Sequence, residues 1–160
     1  MIRDAVASDA DAILAIYNHY VANTTITFEE EPVSAEEMRS RIDKNGTTYA
    51  WLVWEESGRI LGYAYAGKWR ERSAYRFSAE TSVYVDKDSS RRGIGRALYA
   101  ALLPRLRAKG VHTVLGGITL PNEASVALHE SMGFAPVARL PEVGYKFGRW
   151  LDVGYWALKL

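Results

Sequence analysis

The 160-residue sequence has no cysteine. That excludes disulfides, thiolate nucleophiles and cysteine-held metals, and it fits a reducing compartment. It also has almost no net charge: 20 Lys and Arg against 19 Asp and Glu leave a formal +1. Such a balance gives nucleic acid or an anionic membrane no broad field to read, so any basic site must be local. No apolar run approaches the ~20 residues of a spanning helix. Met1-Ile2-Arg3-Asp4 has no signal-peptide pattern. Repeats, low-complexity tracts and linkers are missing as well. Residues 1–160 are therefore expected to form one domain of a soluble, cytoplasmic protein with no nucleic-acid partner, no membrane partner and no metal.

The 48% hydrophobic content suits a folded chain with one sizeable core. Residues 2–5 read as a strand. Ser8 is expected to cap a first helix, with Asp11 at the capping-box position and Ile13, Leu14, Ile16, Tyr17 and Tyr20 inward. Residues 23–32 form a polar, acidic loop. Phe28 is apolar within it, as a core anchor or as a pocket wall. Ser34 opens a second helix to about residue 44. Residues 49–55 and 60–69 pair as a hairpin about Ser57-Gly58. A long strand follows over 75–86, then a helix over 94–109 stopped by Gly110. Pro104 should kink or break that helix. A strand over 111–118, a helix over 122–132, and strands over 134–139 and 153–160 complete the chain, with 144–152 as a loop. The order β-α-α-β-β-β-α-β-α-β-β predicts an α+β fold with a mixed sheet.

The chain is organised around residues 82–99. Val83 and Val85 alternate as strand residues do. Asp88, Ser89 and Ser90 are turn and N-cap residues. Ile94, Leu98, Ala101, Leu102 and Leu106 recur at helical spacing. Between strand and helix stand Arg91, Arg92, Gly93 and Gly95. Glycine lets backbone approach a ligand, a helix start leaves N–H groups unpaired, and the arginines add charge, so phosphate is the expected guest. A Walker loop is excluded because Arg96-Ala97 follows Gly95 where Lys-Ser/Thr is needed. Leu98 occupies the place of the third glycine of a dinucleotide fingerprint. What remains is a diphosphate carried by another molecule.

Val83-Tyr84-Val85 followed by Arg91-Arg92-Gly93-Ile94-Gly95 resembles the acetyl-CoA loop of the GNAT superfamily of N-acyltransferases, usually Gln/Arg-x-x-Gly-x-Gly/Ala. Ser90 stands at the Gln/Arg place, and Arg91 or Arg92 could supply the charge. The order of elements is also that of the GNAT fold, so the resemblance covers nearly the whole chain. It implies acetyl-CoA as cosubstrate, held by Val83, Tyr84, Val85, Arg91, Arg92, Gly93, Ile94, Gly95, Arg96 and Asn122. Pantetheine would enter between the strand ending at Val85 and the next one, with a backbone N–H at Val83 or a neighbour facing the developing oxyanion.

Residues 75–85 resemble the corresponding strand of the phosphinothricin acetyltransferase branch, in which the glutamate matching Glu80 is the general base. Read without the resemblance, Glu80 is better taken as a surface strand glutamate than as a base. His129 stands where many members place a tyrosine that protonates the leaving thiolate. Gly144-Tyr145-Lys146-Phe147-Gly148-Arg149-Trp150-Leu151-Asp152 resembles the branch's Gly-x-Lys-x-Gly-x-Trp-x-Asp stretch, which would shape the acceptor pocket. The implied acceptor is a small amino-acid-like amine such as phosphinothricin or methionine sulfoximine. Arg76 would clamp its acidic group, and Phe28, Trp69 and Tyr75 would wall the pocket. A homodimer is implied too. A protein N-terminus, a polyamine drawn by Glu29-Glu30-Glu31, and a non-catalytic acyl-CoA sensor are the alternatives. His19 and His112 are expected to be structural.

Overall fold

Alternation is the local rule that builds the sheet. In the computed structural model, which describes Met1–Leu160, β1 (Ile2–Asp4), β2 (Trp51–Glu56), β3 (Arg59–Lys68), β4 (Ser78–Val85), β5 (Thr113–Leu120), β6 (Ala135–Lys146) and β7 (Arg149–Lys159) form one seven-stranded sheet. Its order is β1-β2-β3-β4-β5-β7-β6. Helices α1 (Ala10–Asn23), α2 (Ala35–Thr48), α3 (Ile94–Ala108) and α4 (Glu123–Ser131) cover it. Along β3, Tyr63 and Tyr65 turn toward α1 and α2, while Ala64 and Ala66 turn toward α3. The small residues let α3 come close: a Cβ on Gly62 would stand 2.9 Å from Ile94 Cγ2.

Two cores result. Leu98, Leu102 and Leu106 of α3 pack with Leu52, Ala64, Ala79 and Val114 on one face. Ile13, Tyr17, Met38 and Ile42 pack with Trp51, Val53 and Tyr63 on the other. Burial of these apolar side chains is the main source of stability.

Neighbouring strands are antiparallel except β4 and β5, which run parallel. That pairing is short: Ser78, Ala79 and Glu80 face Thr113, Val114 and Leu115, and then the strands part. Beyond the split β4 continues against β3 alone and β5 against β7 alone.

Several boundaries differ from the sequence reading. Ser8 makes no cap; Asp9 takes the Val6 N–H at 2.8 Å and Arg3 at 2.8 and 2.9 Å. Ser34 does cap α2, accepting Glu37 N–H at 3.1 Å, but α2 runs through Gly46 to Thr48. Residues 75–77 are not strand, because Ser73–Tyr75 is a single 3-10 turn and β4 begins at Ser78. Ser89 and Ser90 do not cap α3. Its N-cap is Gly93, and the Ser89 hydroxyl bonds to Asp86. Pro104 neither breaks nor ends α3. It and Ala100, whose carbonyl loses its partner, are both exposed, so water can satisfy that group. The expected 144–152 loop is instead a hairpin: β6 and β7 meet at Phe147-Gly148, with φ of +52° and +73°.

Candidate active site

The turn before α3 is a backbone nest. Arg91 has φ +63° and Gly93 φ +77°, so two residues in left-handed conformation precede the unpaired N–H groups of the helix start. A Cβ on Gly93 would meet nothing within 4 Å, so the glycine serves conformation rather than space. A groove of about 430 Å³ runs from this nest along Val83–Val85 to Asn122 and Leu128, flanked by Arg91 and Arg96, neither of which has a carboxylate partner. Arg92 is not part of it. Its guanidinium holds Glu56 at 2.8 and 3.0 Å, so its expected place on the phosphate is corrected: the backbone twist at Arg91 turns the two arginines apart. Ile94 and Gly95 line the groove, Ile94 also reaching the core. Asn122 caps α4 through Ser125 N–H at 3.1 Å, and its amide nitrogen has no partner in the chain.

The groove continues into the β4–β5 split. Asp86 N–H bonds to Leu61 O, so by the alternation of an antiparallel ladder Tyr84, Ser82 and Glu80 bond toward β3. Ala79 and Thr81 therefore bond across to Leu115, and beyond them Val83 and Val85 aim their backbone groups into the gap. Val85 O accepts the Tyr20 hydroxyl there. A cavity of about 50 Å³ occupies the split, lined by Thr81, Val83, Gly117, Tyr99 and His129 among others.

Glu80 is the last paired residue before the split. Its side chain shares the α1–α2 face with Tyr84, and Oε1 lies 3.2 Å from where a Cβ on Gly117 would be. It makes no hydrogen bond in the chain. Burial raises its pKa, and Arg70 opposes the rise. Arg70, unpaired, lies 4.5 Å over the Trp69 ring, which meets Tyr155 edge-on at 5.1 Å. Tyr155 stands opposite Gly117 in the β5–β7 register, and its own pKa is raised by burial and by Glu80.

His129 is 4% exposed. Its Nδ1 lies 2.7 Å from Ser125 O, which can only accept, so Nδ1 carries the proton and Nε2 presents a lone pair. The Tyr99 hydroxyl lies 3.1 Å from Nε2 and 3.3 Å from Thr81 Oγ1. Burial lowers the His129 pKa, so the ring is neutral near pH 7. A Cβ on Gly116 would fall 2.5 Å from Nε2, which makes glycine a steric necessity there.

The structure thus brings Glu80, Val83–Val85, His129, Asn122 and the 91–96 turn around one continuous cleft. Of the expected pocket walls, Trp69 reaches it through Tyr155. Tyr75 lies exposed in its 3-10 turn. Arg76 folds back on Ser73 O and over the Phe77 ring, away from Glu80. Phe28 lies against Gly144, where a Cβ would stand 2.4 Å from its ring. Sequence reasoning missed Arg70, Tyr99 and Tyr155. Arg70 follows Trp69 directly, the one signal available; the two tyrosines depend on register and helix packing.

Within the 144–152 hairpin, Lys146 Nζ donates to Thr27 O at 2.8 Å. Asp152 takes Glu142 N–H at 2.8 Å and Arg139 at 2.7 Å, both of which hold its carboxyl below the usual range. These bonds fix a bulge in which Leu140 and Gly144, four residues apart, oppose Val153 and Leu151.

A phosphate-binding nest, a gap of free amides and a desolvated carboxylate suit acyl transfer from a phosphate-bearing thioester. Comparison with known proteins agrees. The family model described as "Acetyltransferase (GNAT) domain" matches residues 2–154. Phosphinothricin N-acetyltransferase of Streptomyces viridochromogenes is 41% identical over 155 residues, covering 97% of this chain and 85% of its own. An L-methionine sulfoximine/L-methionine sulfone acetyltransferase of Pseudomonas aeruginosa is 42% identical over 161 residues, covering 99% and 94%. A GNAT superfamily phosphinothricin acetyltransferase from Sinorhizobium meliloti, solved in complex with acetyl-CoA, superposes with a TM-score of 0.95 at 38% identity, covering 100% of this chain and 88% of that one.

Proposed function

The chain belongs to the GNAT acetyltransferases, and on that premise we propose that it moves the acetyl group of acetyl-CoA directly onto the primary amine of a small amino-acid-like acceptor. The relatives' substrates, phosphinothricin and methionine sulfoximine or sulfone, define the acceptor class. The observation that carries this reading is the position of Glu80. An unpaired, desolvated carboxylate stands at the head of the β4–β5 split, beside the small cavity lined by Thr81, Ser82 and Gly117, from which the groove leads on to the backbone nest.

In this reading the diphosphate sits on the 91–96 turn with Arg91 and Arg96, and pantetheine lies along the free amides of Val83 and Val85. Glu80 takes the proton of the acceptor ammonium, directly or through water. The amine nitrogen attacks the thioester carbon, and its oxygen, becoming negative, is held by the Val83 N–H. The C–S bond then breaks, and the surplus proton on the acylated nitrogen passes through water to the departing sulfur. The thiolate leaves beside the Tyr99 hydroxyl, which donates to His129 Nε2 until the sulfur becomes the stronger acceptor. Arg70, unpaired and close enough to act on the charge of Glu80, is the better candidate to hold the acceptor's acidic group than Arg76, which is folded onto Ser73 O. A polyamine is less well matched, because Glu29 is already held by Arg41 and the Tyr17 hydroxyl.

We also take the enzyme to be a cytoplasmic homodimer. Val137, Val143, Tyr145 and Trp150 of the outer hairpin are each more than half exposed, an apolar surface suited to a second copy. The test is an amine panel with free-thiol release as the readout. Turnover with amino-acid analogues and not with polyamines or peptides is expected. Acetyl-CoA binding with no thiol release from any amine would leave only a sensor.

A further inference from the structure

Residues 24–32 form a strap across the β4–β5 split, fastened on both sides. On the α1 side the Thr27 hydroxyl lies 2.9 Å from the Tyr17 hydroxyl, which donates to Glu29 at 2.6 Å, and Arg41 also holds Glu29. On the other side Lys146 of β6 donates to Thr27 O, and the Phe28 ring covers Gly144. Between these anchors Ile26 lines both the cavity in the split and the groove.

The β6 anchor is chemically unusual. Lys146 is only 2% exposed, yet its ammonium forms one hydrogen bond, to a neutral carbonyl, and no ion pair; its other favourable contact is the Phe147 ring, 5.1 Å to the centroid. Glu29 and Glu30 act on it only at longer range. Lysine is almost never buried without a charged partner, because desolvating the ammonium is costly. A methionine would fill the same space without that cost. Phe147 belongs to the same hairpin, so the group outside the hairpin that the lysine holds is the Thr27 carbonyl, which belongs to the strap.

We propose that Lys146 is a positioning residue: it ties the strap to the β6–β7 hairpin, keeps Ile26 over the face of β4 that carries Glu80, Ser82 and Tyr84, and so governs acceptor binding. The proposal rests on the acetyltransferase reading above. It bears on the acceptor more than on the diphosphate, because Ile26 is the one strap residue that lines the groove with Arg91 and Gly93 to Arg96, whereas the Glu80 face lies under the strap. Loosening the strap lowers acceptor affinity and leaves the diphosphate grip in place.

The test is Lys146→Met, which keeps the stem and removes the donor. Losing a hydrogen bond from a charged group predicts a rise in acceptor KM of about tenfold or more. The kcat and the calorimetric Kd for acetyl-CoA should stay within about twofold, and amide hydrogen exchange in residues 24–32 should accelerate relative to α3. Unchanged acceptor KM, unchanged strap exchange, or a joint shift of kcat, KM, Kd and Tm overturns the proposal. If the variant does not fold, Gly144→Ala drives a methyl into the Phe28 contact while leaving the ammonium intact. It should raise KM and strap exchange in the same way, and failure to do so overturns the proposal. A wild-type protein that acetylates no amine defeats the acetyltransferase reading alone, and the exchange data still decide whether Lys146 holds the strap.

Discussion

Gly116→Ala is the sharpest test of the buried pair behind the split. The added methyl would stand 2.5 Å from His129 Nε2 and 2.7 Å from Cδ2, where ordinary contact begins at 3.4 Å. The ring must therefore retreat by about 0.9 Å. It has little room to do so, because the ring is 4% exposed, Nδ1 is held by Ser125 O, and Phe134 meets it edge-on at 5.1 Å. Overpacking of this kind costs ~1–3 kcal/mol. The retreat also breaks the Tyr99–His129 bond and leaves the buried hydroxyl only the longer contact to Thr81 Oγ1, which adds on the order of 1 kcal/mol. A total of about 2–4 kcal/mol corresponds to a Tm lower by roughly 5–15 °C in a domain of this size. Calorimetric melting of four proteins measures it: wild type, Gly116→Ala, His129→Ala and the double variant. With the ring gone the methyl has space, so Gly116→Ala should cost less than ~1 kcal/mol in the His129→Ala background, a strongly non-additive cycle. An equal cost in both backgrounds, or no change in Tm for the single variant, would show that His129 does not lie against Gly116.

Further expectations follow from the same geometry. Glu80→Gln should lower kcat by about 10²–10⁴-fold and leave calorimetric acetyl-CoA binding nearly unchanged. Because burial raises the Glu80 pKa above 4.5, the wild-type rate should fall as pH drops through that raised value, and the variant should lack this limb. The variant should also melt higher near neutral pH: a carboxyl whose folded pKa is raised favours folding only while protonated, and glutamine removes the charge that is unfavourable above it. Arg91→Ala should weaken acetyl-CoA binding several-fold, with the difference shrinking at high salt, while Arg92→Ala changes affinity less than twofold because its partner is Glu56. His129 contributes the opposite pH dependence. Its folded pKa lies below the ordinary 6.5, so the stability it confers is complete above about 6.5 and declines as pH falls. Melts between pH 7.5 and 5 should fall more steeply for wild type than for His129→Gln.

The legible parts of the fold were those governed by local pattern. Alternation in β3 and β4, Ser34 at the head of α2, and Gly110 (φ +85°) after α3 were all readable, since each rests on neighbours in sequence. The 144–152 hairpin was not, because Phe147-Gly148 lacks the usual Asn-Gly or Asp-Gly signature and Pro136 and Pro141 interrupt the β6 pattern. Register supplies what the pattern lacks: β7 pairs along its length, and Asp152 holds the Pro141-bearing bulge. Arg91 and Arg92 illustrate a second limit. Adjacent arginines are equivalent as letters, and only the left-handed backbone at Arg91 separates the one at the groove from the one at Glu56. Arg76 and Arg70 form a second pair of this kind. Arg76 is nearer Glu80 in sequence, but the 3-10 turn at residues 73–75 directs it outward. Glu80 itself was found through the resemblance; its burial and lack of a partner are tertiary facts.

The brief parallel seam has a consequence for the sheet as a whole. With only three residue pairs joining its halves, the edge amides of Val83 and Val85 are left like a zipper stopped partway. An extended, amide-bearing pantetheine arm can dock there as a detachable strand, supplying the interlocking that the polypeptide omits. Loading the donor would then be a small act of folding as well as of binding, and the coenzyme would be a structural member of the enzyme for as long as it stays.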